Sequence, residues 1–223
     1  TTLKNLDFMA SQVRITEIFH SLQGESTRVG LPTVFIRLTG CPLRCVYCDT
    51  DYAFEGGAKT DISAILEQTK SFGTDYVCVT GGEPLAQPEC LVLLAKLADF
   101  GFDVSLETSG AMSIEAVDPR ISTIMDLKTP SSGECHRNLY ENIPHLKKTD
   151  EVKFVIETED DYQWCKSKLI EYQLADRVAA VLFSPVYGKM NPTSLAEKIV
   201  ADRLPVRFQT QLHKALWAEE KGR

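Results

Sequence analysis

The chain has 223 residues, 43% hydrophobic and 25% charged, proportions that let a globular protein bury a core without disulfides. Lys and Arg number 24 against 31 Asp and Glu, a formal net charge of −7, which argues against a nucleic-acid partner because phosphate backbones select basic surfaces. No run reaches the roughly 18 apolar residues of a membrane helix, and no basic stretch leads into an apolar leader, so a cytoplasmic protein without membrane or nucleic-acid contacts is expected.

Because the chain opens on Thr1 rather than Met, its start is expected to have been processed, and the first dozen residues carry little weight. The first strand is expected at residues 33–39, followed by a turn-rich loop at 49–59. Ile62, Ile65, Leu66 and Thr69 then fall at i, i+3, i+4 and i+7 behind Asp61 as an N-cap, the stripe of an amphipathic helix. A strand at 76–80 precedes a second such helix on Cys90, Leu93, Leu94 and Leu97, which Gly101 stops. Strands at 103–107 and 121–126 lead into a second turn-rich loop at 130–137. A strand at 151–156, a helix at 160–172, a strand at 178–183 and a helix at 192–201 complete the series. Strand and helix thus alternate about six times, which implies a parallel sheet. A closed eight-unit barrel takes about 250 residues, so the expected fold is α/β, a partial (incomplete) parallel β/α barrel. No linker interrupts it, and residues 1–223 are expected to be a single domain, with the two loops on its active face.

The strongest chemical signal is Cys41-Pro-Leu-Arg-Cys45-Val-Tyr-Cys48, three of the chain's seven cysteines within eight residues. Three thiolates imply a metal. A closed zinc site wants four protein ligands, and Cys78, Cys90, Cys135 and Cys165 lack partner spacing; Cys78 and Cys90 sit on apolar faces as small hydrophobes. Three thiolates on a four-iron cluster leave one iron open for chemistry, whereas a zinc or purely structural site remains the alternative. The second signal is Val79-Thr80-Gly81-Gly82-Glu83-Pro84 at a strand end, where paired glycines let backbone approach a ligand closely.

Cys-x3-Cys-x2-Cys with Tyr47 before the last cysteine resembles the signature of the radical S-adenosylmethionine superfamily, and Gly-Gly-Glu-Pro resembles its methionine-binding motif. The resemblance implies a four-iron, four-sulfur (4Fe-4S) cluster on Cys41, Cys45 and Cys48 whose open iron chelates S-adenosylmethionine. Nearly the whole chain is similar to one member family, the 7-carboxy-7-deazaguanine synthases. The blocks that carry this are Ile15-Thr-Glu-Ile-Phe-His-Ser-Leu-Gln-Gly-Glu25 with Phe35-Ile-Arg37, and Arg207-Phe-Gln-Thr-Gln-Leu-His213-Lys-Ala-Leu-Trp217.

That resemblance implies a radical lyase that converts 6-carboxy-5,6,7,8-tetrahydropterin to 7-carboxy-7-deazaguanine with loss of ammonia, most commonly for queuosine-type transfer-RNA modification. It places Leu22, Gln23, Gly24, Glu25, Arg37, Thr80, Gln209 and His213 at the substrate. Arg37 is expected to hold the carboxylate with its planar fork, on the strand face opposite Ile36 and Leu38. Tyr47, Cys48, Asp49, Gly82, Glu83, Glu107, Asp126, Leu127 and Lys128 are expected at S-adenosylmethionine, and Thr50 on magnesium (Mg2+). No side chain is expected to be catalytic in its own right, because the cofactor carries the radical. Two departures stand out. Many relatives have Ser-Pro-Lys where this chain has Asp126-Leu127-Lys128, and Gly222-Arg223 extends past the tryptophan helix where relatives often end near the substrate. Flavodoxin or ferredoxin is the implied electron donor, and an exposed sheet edge suggests a homodimer. Two alternatives remain: an activase of glycyl-radical enzymes with the same cysteine spacing, and a non-enzymatic iron-sulfur or zinc protein.

Overall fold

Apolar runs flanked by turn residues become the strands of one sheet: β1 (Gln12–Leu22), β2 (Pro32–Leu38), β3 (Ala58–Asp61), β4 (Tyr76–Gly81), β5 (Asp103–Thr108), β6 (Ser122–Asp126), β7 (Glu151–Ile156), β8 (Ala180–Pro185) and β9 (Arg207–Phe208). They belong to a computed structural model that describes residues 11–218, 220 and 222. Their order is β3-β1-β2-β4-β5-β6-β7-β8-β9, parallel from β2 to β9, with β3 and β9 as the edge strands among the described residues. This is the incomplete barrel expected. The helices are α1 (Ile62–Ser71), α2 (Cys90–Asp99), α3 (Glu159–Glu171), α4 (Leu174–Arg177), α5 (Pro192–Asp202) and α6 (Leu212–Trp217).

Every strand expected from sequence is present, the largest displacement being β8, which begins at Ala180 rather than residue 178. Three features differ. β1 and β3 add an antiparallel edge to the parallel sheet. Residues 109–121 join β5 to β6 without a helix, and short 3-10 turns alone join β6 to β7, so the alternation is less regular than six units. A buried amide explains the first helix-free crossover: Asn142 donates to the carbonyls of Gly110 and Met112 and accepts from the Ile114 N–H. Backbone polar groups that a helix would pair internally are thereby satisfied.

Side-chain alternation splits the sheet into two faces. The outer face packs Ile36, Val79, Leu106 and Phe154 against Ile65 of α1, Leu94 of α2, Tyr162 of α3 and Leu195 of α5, all in one core. The inner face carries Arg37, Thr80, Glu107, Asp126 and Lys153. Cys90 and Cys165 are core fillers, Cys78 is fully buried, and Cys135 is half-buried.

The loop between β1 and β2 plugs the end of the barrel where the parallel strands begin. Arg28 Nη2 donates to Asp103 Oδ1 at 2.6 Å and to Ser122 Oγ at 3.1 Å, at the first residues of β5 and β6. Thr27 donates through N–H and hydroxyl to Glu151, the first residue of β7. Ser26, at φ 66°, is gripped by Gln209: its N–H donates to Oε1 at 2.8 Å and its carbonyl accepts from Nε2 at 2.7 Å. Gln209 therefore holds the plug and is not among the residues that line the cavity described below, which corrects its expected place in the site. Gln209→Ala leaves two buried backbone groups without partners, each costing about 1–3 kcal/mol. We expect a loss of about 3 kcal/mol, lowering Tm by about 6–12 °C for a chain of this size, read by thermal unfolding followed by circular dichroism.

Candidate functional site

At the opposite, C-terminal ends of the parallel strands lies a cavity of about 670 Å3, the end where strand termini bring residues from many elements together. Cys41, Cys45 and Cys48 line it, as do Leu22, Gln23, Gly24, Glu25, Arg37, Tyr47, Asp49, Thr50, Thr80, Gly82, Glu107, Asp126, Lys128 and His213. Most residues singled out in the sequence thus share one space. Leu127 does not: it is fully buried in the outer core, and only its backbone reaches the inner strands through a bond to the Lys153 carbonyl at 3.0 Å. Glu83 is fully buried behind the cavity, accepting from the N–H groups of Leu85 and Ser109 and the hydroxyls of Thr108 and Ser109. It fixes the Gly-Gly turn to β5 rather than lining the cavity. Of the C-terminal pair, Gly222 lines the cavity rim, and Arg223 lies outside the described residues.

The cysteine loop leaves β2 and is tied down on two sides. The Gly40 N–H donates to the Ala53 carbonyl, the Val46 N–H to Ser132, and the Arg44 N–H to Glu134. Its three thiols are unpaired and half-buried. Burial pushes all three thiol pKa values up, Cys45 to about 11, against the pull of nearby Lys128; a bound metal would reverse this by favouring thiolates. Among the described residues no three His, Cys, Asp or Glu side chains are grouped as ligands of a single ion. Gly82 presses on this loop so closely that a β-carbon would lie 2.3 Å from the Gly40 carbonyl oxygen and 2.8 Å from Cys41 Cβ, so only glycine fits there.

Five charged groups meet on the inner wall. Lys153 Nζ lies 2.5 Å from Glu25 Oε2 and 3.7 Å from Asp126 Oδ2, and Lys128 Nζ lies 2.9 Å from the same Asp126 oxygen. Asp126 Oδ1 is buried without a partner, an acceptor awaiting a donor. Burial pushes the Glu107 carboxyl above the usual range, with Cys78 as one hydrogen-bond partner, and Gln23 and Thr80 donate to it at 3.4 Å each. Across the cavity, Arg37 Nε donates to Glu17 Oε1 at 2.7 Å, which also accepts from the Tyr52 hydroxyl at 2.7 Å. Glu17 takes Nε, so the terminal nitrogens of Arg37 are the edge able to meet a ligand carboxylate. Against partial desolvation, Lys214, Thr50 and Gln211 hold Asp49 well below the usual carboxylate range. Thr50 donates its proton to Asp49 Oδ1 at 2.9 Å, which turns the hydroxyl lone pairs outward as hard ligands of the kind magnesium prefers.

Thiols around an open space, an orphaned acceptor and a glycine cradle all fit an iron-sulfur cluster with S-adenosylmethionine beside it. Sequence reasoning missed Lys153, Glu17, Tyr52, Gln211 and Lys214. For Lys153 a signal existed: a lysine within the run Glu151-Val-Lys-Phe-Val-Ile156 must sit on the face opposite Val152 and Phe154.

Residues 35–124 match the radical SAM superfamily. A 7-carboxy-7-deazaguanine synthase from Chlorobaculum tepidum is 42% identical over 208 residues, spanning 92% of this chain and 94% of its own length. Its counterpart from Koribacter versatilis is 37% identical, spanning 93% and 98%. In fold, QueE from Escherichia coli superposes with a TM-score of 0.75 at 24% identity, over 92% of this chain and 96% of that one. The barrel and its cysteine loop are those of a radical S-adenosylmethionine enzyme, with a 4Fe-4S cluster and S-adenosylmethionine as its cofactors. Within that class the chain belongs to the 7-carboxy-7-deazaguanine synthase family.

The α6 helix closes the cavity against Gly24, where a β-carbon would lie 2.1 Å from His213 Nδ1. Gly24→Ala must therefore displace His213 without touching the cysteine loop. We expect iron content and the visible absorbance of the cluster to be unchanged, with substrate affinity at least tenfold weaker by anaerobic calorimetry.

Proposed function

We propose that this cavity converts 6-carboxy-5,6,7,8-tetrahydropterin to 7-carboxy-7-deazaguanine with loss of ammonia. The observation that carries the reading is that the three loop cysteines open into the same cavity as Arg37, Gln23, Glu25 and His213, in a chain related end to end to synthases of that name. When bound, the cluster and S-adenosylmethionine supply a 5′-deoxyadenosyl radical that takes a hydrogen atom from the substrate. The chain's own residues aim that substrate. Arg37 meets its carboxylate, and Thr50 holds the magnesium beside it. Gln23, Gly24, Glu25, Leu22, Thr80 and His213 bound the ring. Tyr47, Asp49, Gly82, Glu107, Asp126 and Lys128 bound S-adenosylmethionine, with Glu83 supporting Gly82 from behind. Because radical chemistry depends on the distance between the abstracting carbon and the hydrogen, positioning is the protein's main contribution.

Residues 1–223 act as one domain, and the product serves deazapurine and queuosine pathways in the cytoplasm. Flavodoxin or ferredoxin delivers the electron, and the open sheet edges support a homodimer; light scattering on the cluster-loaded protein should give twice the chain mass. Among the described residues, no helix is long and apolar enough to cross a membrane. The related synthases favour this reading over the activase and the non-enzymatic alternatives.

Anaerobic turnover with S-adenosylmethionine, dithionite, Mg2+ and the tetrahydropterin, read by mass spectrometry, tests it. The product should vanish in Cys48→Ala. Arg37→Ala removes charge-assisted bonds worth about 3 kcal/mol, so kcat/KM should fall about 100-fold. If 5′-deoxyadenosine forms without the deazaguanine, the substrate assignment is wrong.

A further inference from the structure

Lys153 has no role in the chemistry described so far, yet it is a deeply embedded cation of the cavity. It projects from the inner face of β7 with its side chain 13% exposed. A lone ammonium there would carry a desolvation cost of several kcal/mol, so its neighbours decide what it does. Asp126 already has Lys128 at 2.9 Å and lies 3.7 Å from Lys153, whereas Glu25 lies at 2.5 Å. Losing Lys153 therefore falls mainly on Glu25. The rest of Glu25 is fixed from two sides: Gln211, just before α6, donates to its Oε1 at 2.7 Å, and within the plug its N–H donates to Gln23 Oε1 at 3.1 Å.

We propose that Lys153 is a positioning residue for the substrate: from β7 its ammonium fixes the Glu25 carboxylate at the cavity wall, where Glu25 meets the paired N–H donors of the substrate's aminopyrimidinone edge. This rests on the pterin reading of the site. The edge presents a ring N–H beside an exocyclic amine, two donors side by side. An ionised carboxylate offers two acceptors to match, whereas a protonated acid or an amide offers one acceptor and one donor. A site built around such a pair loses much of its affinity when one partner changes type.

The surroundings show why a cation is needed. Burial pushes the Glu25 carboxyl up, and Lys153 and Gln211 together bring it below its ordinary value. The other charged groups about it are Glu107 on β5, Asp126 on β6, Asp49 in the cysteine loop, and His213 and Lys214 on α6. Asp49 and Glu107 are acids whose charges oppose ionisation of Glu25. Without Lys153, burial and those acids raise the Glu25 pKa, so the acceptor form should be lost as pH falls. With Lys153 present it should persist across the neutral range.

The test is anaerobic calorimetry of 6-carboxytetrahydropterin and, separately, S-adenosylmethionine binding to cluster-loaded protein at pH 6.5 and 8.5. Lys153→Met should weaken pterin binding at least 30-fold at pH 6.5 and less at pH 8.5, with S-adenosylmethionine affinity and iron content within threefold of wild type. Lys153→Arg, which keeps the charge, should recover most of the affinity. On a Glu25→Gln background, Lys153→Met should add less than threefold, because the group it positions is already altered. If Lys153→Met fails to take up iron, Lys153→Arg carries the test through the same background: a modest weakening that disappears with Glu25→Gln. Pterin binding by Lys153→Met that equals wild type, that lacks the pH dependence, or that weakens less than S-adenosylmethionine binding overturns the proposal. Wild-type protein that binds S-adenosylmethionine but no pterin overturns the substrate assignment and this inference with it.

Discussion

Buried charge is the constraint on which the rest of this structure depends. The inner face of the sheet carries Arg37 on β2, Glu107 on β5, Asp126 on β6 and Lys153 on β7, where an unpaired ion costs several kcal/mol. Few of their partners come from neighbouring strands of the parallel sheet. Glu17 is supplied by the antiparallel β1, Glu25 by the plug loop and Lys128 by the segment after β6. Pairing these charges therefore ties elements far apart in sequence to the same cavity. Glu107, with long bonds to Gln23 and Thr80 and a carboxyl pushed up by burial, and Asp126, whose Oδ1 is buried without a partner, keep capacity for a ligand.

The plug gives the cavity its floor. A partial barrel is open at both ends and along one side, so a loop that reached in without anchors would leave Gln23, Gly24 and Glu25 loosely placed. Instead Arg28, Thr27 and Ser26 are bonded to the first residues of β5, β6 and β7 and to Gln209 after β9. Those bonds lie below the reactive end, and their geometry sets the height of Glu25 above them. Rigid support of this kind limits the error in substrate placement, which matters most when the protein's task is to aim rather than to transfer protons.

The sequence made six of the strands readable because each is a short apolar run with β-branched residues between turn signals. β1 was not readable, since after Val13 and Ile15 its residues are half-buried or exposed, and its strand character comes from pairing with β2 and β3. With four and two residues respectively, β3 and β9 are too short to carry a period. The cysteine loop and the Gly-Gly turn were legible because their chemistry is local in sequence. The Glu25 and Lys153 pair was not, being separated by 128 positions. Leu127 and Gln209 illustrate the converse. They stand near true cavity residues in sequence, but Leu127 turns into the outer core and Gln209 turns down to Ser26.

The charge of the whole chain and the charge of its cavity point to different things. A net charge of −7 describes a chain with an excess of acids. The cavity instead gathers Arg37, Lys128, Lys153 and Lys214 among its acids. Both proposed ligands, the tetrahydropterin and S-adenosylmethionine, carry a carboxylate beside donor groups. A wall of one sign would bind the carboxylates and repel the donors. Alternating the signs, with Arg37 across from Glu107 and Lys128 beside Asp126, allows each ligand one orientation, and that single orientation is what a short-lived radical needs.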